Sequence, residues 1–179
     1  KVYVLDSGID PANSDLKGRV AKGKSFIMDG KGTADCFGHG TFVAGVAGGT
    51  TSGVAKKAVL VPVRVLDCSG NGTAFLTTQG INWVIAQHKR GTPAVANLSL
   101  TGDYSRLEND AIRRLVAHAA TVVVAAGNHD GAACTTSPGS ARSALTVAAS
   151  DQLDNRVADS NFGPCVDIYA PGSNIAATI

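Results

Sequence analysis

The sequence has little charge, and it lacks the long apolar runs that would mark a membrane protein. Charged residues make up only 17% of its 179 positions, and the formal net charge is +2. Without a basic stripe, nucleic-acid binding has no electrostatic support. The apolar runs are far shorter than the roughly 20 residues that a membrane-spanning helix requires. We therefore expect a globular protein whose partners include neither nucleic acid nor a membrane.

Cysteine pairs of the Cys-x-x-Cys type are also missing, which disfavours zinc sites and thioredoxin-like redox sites. Four cysteines occur at wide spacing: Cys36, Cys68, Cys134 and Cys165. An even number at such spacing favours two disulfides and an oxidising, extracellular compartment. The sequence alone leaves all three possible connectivities open.

Short apolar runs alternate with longer helical patterns along the chain. The runs cover residues 2–5, 59–66, 94–100, 121–126, 144–149 and 166–170, and the helical patterns cover residues 74–88 and 106–119. Thr73 is a candidate N-cap for the first helix, and Ser105 with Glu108 is a candidate capping box for the second. Pro62 interrupts the second run, which is unusual inside a strand. The alternation predicts an α/β fold with a three-layer, doubly wound, mostly parallel sheet.

Three polar residues occur where such a sheet places its active site, at the carboxyl ends of the strands. Asp6 follows the first strand, and His39 stands between glycines at the start of a helical stretch. Asn128 follows Gly127 after the fourth strand. Each has an ordinary alternative, namely a capping carboxylate, a surface or structural histidine, and a turn asparagine. The remaining histidines are expected at the surface: His88, His118 and His129.

These three residues, in this order and with their flanks, resemble the subtilisin-like serine proteases of the proteinase K and aqualysin branch. Matching segments extend over nearly the whole chain and include Gly53-Val54-Ala55, Val65-Leu66-Asp67, Asn97-Leu98-Ser99-Leu100, Ser160-Asn161-Phe162-Gly163 and Ala170-Pro171-Gly172. The resemblance implies that Asp6 orients His39, and that His39 acts as general base and then as general acid. It implies that Asn128 donates to the oxyanion of the tetrahedral intermediate.

The resemblance also implies a peptide or protein substrate held in a cleft with two walls. One wall would consist of Ser99, Leu100, Thr101 and Gly102, and the other of Ala125, Ala126 and Gly127. The first wall would pair with the substrate backbone by strand addition. No cofactor would be required for the chemistry, and the expected protein is a secreted monomer.

Two structural features follow from the same resemblance. The cysteines would pair as Cys36–Cys68 and Cys134–Cys165. A structural Ca²⁺ would be held by Asp167 together with main-chain oxygens near Arg142 and Ala144, because calcium prefers oxygen ligands. A plain capping role for Asp167 remains the alternative to calcium binding.

The chain departs from the family pattern at three places. The family nucleophile lies in a Gly-Thr-Ser-x-Ala motif, which is absent here, as is Gly-x-Ser-x-Gly. Phe42 stands where the family usually has His. Thr101 stands where it usually has Gly, and a β-branched residue there would narrow the cleft.

We expect residues 1–179 to be a partial subtilisin-like peptidase domain, truncated at both ends and inactive by itself. The alternative is a non-catalytic subtilase-like protein that binds peptides, which Phe42 and Thr101 favour. A nucleotide-binding α/β domain is disfavoured because no glycine-rich phosphate loop follows the first strand.

Overall fold

Seven strands form a parallel sheet in the computed structural model, which describes residues 1–178. The strands of this sheet are β1 (Val2–Asp6), β2 (Lys24–Ser25), β3 (Leu60–Arg64), β4 (Val95–Leu98), β6 (Thr121–Ala125), β8 (Leu145–Ser150) and β9 (Ile168–Pro171), while β5 (Gly102–Asp103) and β7 (Thr136–Ser137) form a separate antiparallel pair. The spatial order is β2-β3-β1-β4-β6-β8-β9, with parallel neighbours throughout. The chain therefore starts near the middle of the sheet and winds outwards in both directions.

Three helices cover the two faces of this sheet: α1 (His39–Gly48), α2 (Ala74–Gln87) and α3 (Arg106–Ala117). Successive side chains of β1 point to opposite faces, as the pleat of a strand requires. Leu5 is buried with Ile81 of α2 and Ile112 of α3. Val4 is buried with Ala44 of α1 on the other face. The predicted three-layer, doubly wound α/β fold is confirmed.

Pro62 lies inside β3, and the strand tolerates it because of the side to which its nitrogen faces. Leu60 directs its N–H to the carbonyl of Arg19 (2.9 Å), and its own carbonyl accepts from the N–H of Ala21 (2.8 Å). Pro62, two residues later, faces the same side, where β2 begins only opposite Val63. The ladder between β3 and β1 therefore loses no hydrogen bond.

The helix caps are formed as predicted at α2 but only in part at α3. The hydroxyl of Thr73 accepts from the N–H of Leu76 at 3.2 Å, and that of Ser105 accepts from the N–H of Glu108 at 3.3 Å. A complete capping box also needs the Ser105 N–H to donate to the Glu108 carboxylate. That N–H donates instead to the hydroxyl of Ser137 at 2.9 Å. The Glu108 carboxyl is left without its predicted partner.

The prediction that His88 lies at the surface is wrong. His88 is only 5% exposed, and its ring lies edge-on against that of His118, with centroids 5.8 Å apart. α2 and α3 pack side by side, so the residue that follows the last turn of α2 is covered by the end of α3. His118 is partly buried, and His129 is exposed. None of the described helices is both long enough and apolar enough to cross a membrane.

The α1 side of the sheet is covered unevenly. α1 packs on β1 and β3. Over β4, β6 and β8, the side chains of Asn97, Val123 and Val147 instead line an open hollow of about 340 Å³. Partly exposed apolar surface therefore lies directly beside the carboxyl ends of these strands.

Candidate active site

Asp6 and His39 meet at the carboxyl end of β1. Nδ1 of His39 lies 2.8 Å from Oδ1 and 3.0 Å from Oδ2 of Asp6, and the N–H of Ser7 donates to Oδ1 at 2.7 Å. The Asp6 side chain is fully buried, whereas 38% of the His39 side chain is exposed. A carboxylate can only accept, so Nδ1 carries the proton and Nε2 is the acceptor.

The same contact sets the basicity of the imidazole. The hydrogen bond to Asp6 raises the pKa of His39, against the opposing effect of partial burial, and the charges of Asp6 and Asp35 raise it further. A neutral imidazole with its proton on Nδ1 can take a proton at Nε2 from a hydroxyl in the adjacent cleft. The geometry is that of a general base oriented by a carboxylate.

The helix that carries His39 is anchored by Asp35, which the sequence analysis missed. Oδ2 of Asp35 accepts from the N–H (2.8 Å) and the hydroxyl (2.7 Å) of Thr41. Ser7 donates its hydroxyl to Asp35 at 2.9 Å and accepts from the N–H of Gly40 at 2.9 Å. Burial acts to raise the pKa of Asp35, but the hydrogen bonds from Thr41 and its neighbours outweigh it and lower the pKa. An aspartate just ahead of a helix start was the available signal.

Glycine is needed where α1 approaches β1. A Cβ at Gly40 would collide with the carbonyl oxygen of Gly8. Gly8 itself has φ +115°, and a Cβ there would lie 2.6 Å from the carbonyl oxygen of Thr33. A side chain at either position would push the helix away from the strand. The glycine beside His39 therefore keeps Nδ1 within reach of Asp6.

Asn128 lies in a loop that is organised by the buried side chain of Asn161. Nδ2 of Asn161 donates to the carbonyl of Ala126 at 2.9 Å, and Oδ1 accepts from the N–H groups of His129 and Gly131, each at 3.0 Å. Asn128 itself is exposed. The sequence analysis quoted Asn161 within a matching segment but assigned it no role, because its partners are distant in the chain.

The structure brings Asn128 to the same end of the sheet as His39. Asn128 and Ser99 both line the hollow over β4, β6 and β8. Ser99 and His39 both line a neighbouring cleft. Ser99 therefore lines both the hollow that contains Asn128 and the cleft that contains His39.

The cleft beside His39 has a volume of about 700 Å³. Its lining includes the whole of the first predicted wall, Ser99, Leu100, Thr101 and Gly102. Gly102 pairs with Ser137 in the small antiparallel sheet. An added strand could therefore pair only with the edge of β5 that faces away from β7. Opposite this wall lies the loop of residues 70–73.

The second predicted wall, Ala125, Ala126 and Gly127, lines the hollow that contains Asn128 and not this cleft. The two walls approach each other at Thr101, since a Cβ at Gly127 would lie only 3.1 Å from its Oγ1. That hydroxyl is buried and has no hydrogen-bond partner among residues 1–178. The Thr101 side chain thus fills the gap between the two walls.

Both disulfides that the resemblance implied are present. Cys36 pairs with Cys68 across 32 residues, and Cys134 pairs with Cys165 across 31, with Cα separations of 5.0 and 5.3 Å. The first links the loop that precedes α1 to the segment that follows β3. Its Cys36 sulfur lies 3.3 Å from Nη2 of Arg64, a fully buried residue.

Asp167 and Ala144 line one shallow hollow of about 320 Å³. Oδ2 of Asp167 accepts from the N–H of Thr146 at 2.8 Å, which leaves one carboxylate oxygen for a cation. The side chain of Arg142 instead donates to the carbonyl of Pro164. Within the described residues, no group of three acidic, histidine or cysteine side chains gathers at this hollow. A calcium ion fits only if main-chain oxygens supply most of its ligands.

Comparison with known proteins gives consistent results. The model of the subtilase family, peptidase S8, matches residues 1–179. An extracellular serine proteinase of Thermus sp. (strain Rt41A) is 45% identical over 98% of this chain and 42% of its own length. Subtilisin-like protease 7 of Trichophyton violaceum is 44% identical over 98% of this chain and 44% of its own. The chain thus spans less than half the length of these relatives.

A solved structure agrees with the fold. The crystal structure of a cold-adapted subtilisin-like serine proteinase superposes with a TM-score of 0.94 at 40% identity, covering 99% of this chain and 64% of the other. The similarity covers almost every described residue and therefore includes the strands of the parallel sheet. The chain belongs to the subtilase family of serine peptidases.

Proposed function

We propose that the protein containing this chain is a secreted serine endopeptidase that uses an Asp-His-Ser triad, with Asp6 and His39 as two of its members. The observation that carries the proposal is the hydrogen bond of 2.8 Å between a half-exposed imidazole and a fully buried carboxylate at the edge of a cleft. In this proposal, His39 takes the proton of the nucleophilic serine and returns it to the leaving amine, while Asp6 stabilises the imidazolium.

Asn128 donates its amide to the oxyanion that develops on the attacked carbonyl. Removing such a donor costs about 10²–10³ in turnover, a figure taken from subtilisin itself. The segment Ser99–Gly102 holds the substrate backbone on the free edge of β5. The residues Ala125–Gly127 form the other side of the primary pocket, which in this proposal is the part of the open hollow that Ser99 also lines.

The nucleophile is not among the serines nearest to His39. The Ser7 hydroxyl is buried and bonded to Asp35, and that of Ser99 lies 2.9 Å from Nδ2 of Asn97, from which it accepts. We place the serine in a part of the protein beyond residue 179, packed over the open hollow above β4, β6 and β8. The partial coverage of the relatives supports this placement. The chain of residues 1–179 alone would then be inactive.

The reading frame beyond codon 179 provides the first test. We expect a Gly-Thr-Ser-x-Ala motif within a few tens of codons. The second test is enzymatic, with the full-length protein cleaving a chromogenic peptide and losing that activity to a serine-directed phosphonate. A full-length protein without the motif, or with phosphonate-resistant cleavage, would exclude the proposal.

A non-catalytic peptide-binding subtilase is the second candidate, and the Thr101 side chain that fills the gap between the walls favours it. It predicts peptide binding without hydrolysis in the full-length protein. Replacing His39 by Ala distinguishes the two, because only a protease would lose turnover while it retains peptide affinity.

We further propose that the protein is a monomer that needs no cofactor for chemistry and binds at most a structural Ca²⁺ near Asp167. Calcium would add stability there without any part in catalysis. Comparing the thermal unfolding of the full-length protein in EDTA and in millimolar Ca²⁺ tests this. Replacing Asp167 by Asn should remove any difference between the two conditions.

A further inference from the structure

Glu108 lines the cleft beside His39 and is a buried acid without a partner. It is only 3% exposed, and its Oε1 has no hydrogen-bond partner among residues 1–178. None of the ion pairs among residues 1–178 includes Glu108. Burial raises the pKa of Glu108 to about 7. A buried polar group left in this state costs about 1–3 kcal/mol, so its presence needs a reason.

A role in helix capping does not supply that reason. The Ser105 N–H, to which a capping glutamate would bond, donates to Ser137. Pairing along the helix does not supply it either. Asp110, two residues on, pairs with Arg106 and Arg113 at the surface, while Glu108 takes part in neither contact.

The walls around Glu108 offer no compensating cation. α2 contributes Ala74 and Thr77 to the cleft, and the loop of residues 70–73 contributes no charged group. Among residues 1–178, the only other titratable groups that line the cleft are His39, Asp103 and Tyr104. Asp103 and Tyr104 are exposed at its mouth. A complement to the Glu108 carboxyl must therefore come from a bound molecule.

We propose that Glu108 is a specificity-determining residue that selects a lysine or arginine side chain of a bound peptide, in the space between residues 99–105 and the loop 70–73. A basic side chain supplies both the missing donors and the missing charge. The cleft volume of about 700 Å³ leaves room for such a chain beside the peptide backbone. This inference rests on the proposed function only in assuming that the cleft binds peptides.

The preference depends on pH in a defined direction. With its pKa raised to about 7, Glu108 is ionised above that pH and attracts a cation. Below it, the carboxyl is protonated and the charge attraction is lost. Protonation of His39 at low pH adds a repelling charge and acts in the same direction. Asp103 is unchanged in the Glu108→Gln comparison, so it does not account for a difference between that variant and its parent.

The experiment compares peptides that differ in one side chain. The full-length protein carries Asp6→Asn, which slows hydrolysis by about 10⁴, and Asp6 is not among the residues that line the cleft. The probes are fluorescent, acetylated hexa-alanine peptides in which lysine or norleucine replaces one alanine at a time. Their dissociation constants are measured by anisotropy at about pH 8.5 and about pH 5.5, on either side of the raised pKa. Glu108→Gln is the test variant, and Asp110→Asn removes one charge from the same helix outside the cleft.

At one peptide position, we expect lysine to bind about tenfold or more tightly than norleucine at the higher pH, the effect of a charge-assisted hydrogen bond. Glu108→Gln, or the lower pH, should reduce this ratio severalfold, whereas Asp110→Asn should leave it unchanged. Equal binding of lysine and norleucine at every position, with Glu108→Gln silent, would overturn the inference while leaving the protease proposal intact. A Glu108-dependent preference for lysine in a full-length protein that never hydrolyses peptides would support the inference and overturn the protease proposal.

Folding of the Glu108→Gln variant is checked independently. Burying an acid whose pKa is raised destabilises the fold progressively as pH rises from about 4.5 to about 7. The glutamine variant should therefore unfold at a higher temperature than the parent above pH 7 and at a similar temperature at pH 4. A variant that unfolds at a lower temperature at both values would show that Glu108 has a structural role and would overturn the inference.

Discussion

At the scale of single residues, the candidate site depends on which nitrogen of the His39 ring carries a proton. The Asp6 carboxylate accepts from Nδ1 of His39 and from the N–H of Ser7, and it is fully buried. Water cannot compete for its lone pairs. The imidazole is therefore held in one tautomer and one orientation, whether or not a substrate is bound.

Replacing Asp6 by Asn in the full-length protein tests this arrangement. We expect turnover to fall by about 10⁴, because the imidazole loses its orienting anion. The pKa of His39 is raised in the parent, and the neutral form is the base, so activity declines as pH falls through that raised value. In the variant, the acidic limb of kcat/KM should move to lower pH.

The matched control is Asp154→Asn, at an exposed position outside the cleft. It should leave both turnover and the acidic limb unchanged. An acidic limb that stays in place after Asp6→Asn would mean that another group controls the pH dependence.

Thr101 supplies a second test at the residue scale. Its side chain fills the gap beside Gly127, so Thr101→Gly should open the primary pocket. We expect kcat/KM for substrates with a large apolar side chain before the scissile bond to rise about tenfold, the effect of a few buried methylene groups. Thr101→Val keeps the shape and removes only the hydroxyl, so it should produce no such gain. Equal rates for Thr101→Gly and Thr101→Val would exclude the steric explanation.

At the scale of elements, the site depends on the start of one helix and on one loop, each held by polar side chains. Asp35 and Ser7 fix the start of α1, and Asn161 fixes the loop after β6. Each side chain satisfies backbone groups that would otherwise be unpaired. The start of α1 and the loop after β6 can therefore hold His39 and Asn128 in defined positions.

Asn161→Ala should release the loop that carries Asn128. Three hydrogen bonds of the buried Asn161 side chain would be lost, which should lower the free energy of unfolding by about 3 kcal/mol. We also expect kcat to fall at least tenfold with little change in KM, because an oxyanion donor acts mainly in the transition state.

Chemical denaturation and steady-state kinetics measure the two effects of Asn161→Ala. Asn155→Ala is the control, since Asn155 is exposed and bonds only to Asp151 beside it. A loss of stability without a loss of kcat would mean that Asn161 has no part in positioning Asn128.

At the scale of the whole molecule, two disulfides join segments that the sheet alone would not hold. Each closes a loop of similar length, 32 and 31 residues. In the chain-entropy account their effects on the unfolded chain should be nearly equal. The native surroundings differ, because Arg64, which pairs with Asp29 at 2.7–2.8 Å, also contacts the Cys36 sulfur.

Removing each disulfide separately tests that account. The double variants Cys36→Ser/Cys68→Ser and Cys134→Ser/Cys165→Ser should each lose about 3.7 kcal/mol of stability, measured by urea unfolding of the full-length protein. Each variant is the control for the other. A difference of more than about 2 kcal/mol between them would show that local contacts in the folded state, such as those of Arg64, outweigh chain entropy.

Local pattern predicted the six longer strands of the parallel sheet and the helices α2 and α3, but not the two-residue strands β2, β5 and β7. Apolar periodicity depends on neighbours a few positions away, so the sheet and the amphipathic α3 could be predicted from the sequence alone. Asp6 could be singled out because it follows a strand, and His39 because glycines flank it at the start of a helical stretch. The sequence showed the glycine that follows His39. It did not show that this glycine packs against the carbonyl of Gly8, with which a side chain would collide.

Only the tertiary structure decided the contacts between residues that are far apart in the chain. The burial of His88 depends on the packing of α2 against α3. The role of Asn161 depends on a loop some 30 positions earlier. The Ser105 N–H donates to the Ser137 hydroxyl and not to the Glu108 carboxylate, so that carboxyl has no partner within the described residues. Which acceptor a given N–H group bonds to depends on distances in the folded chain. The sequence shows which acceptors exist but not how far away they lie.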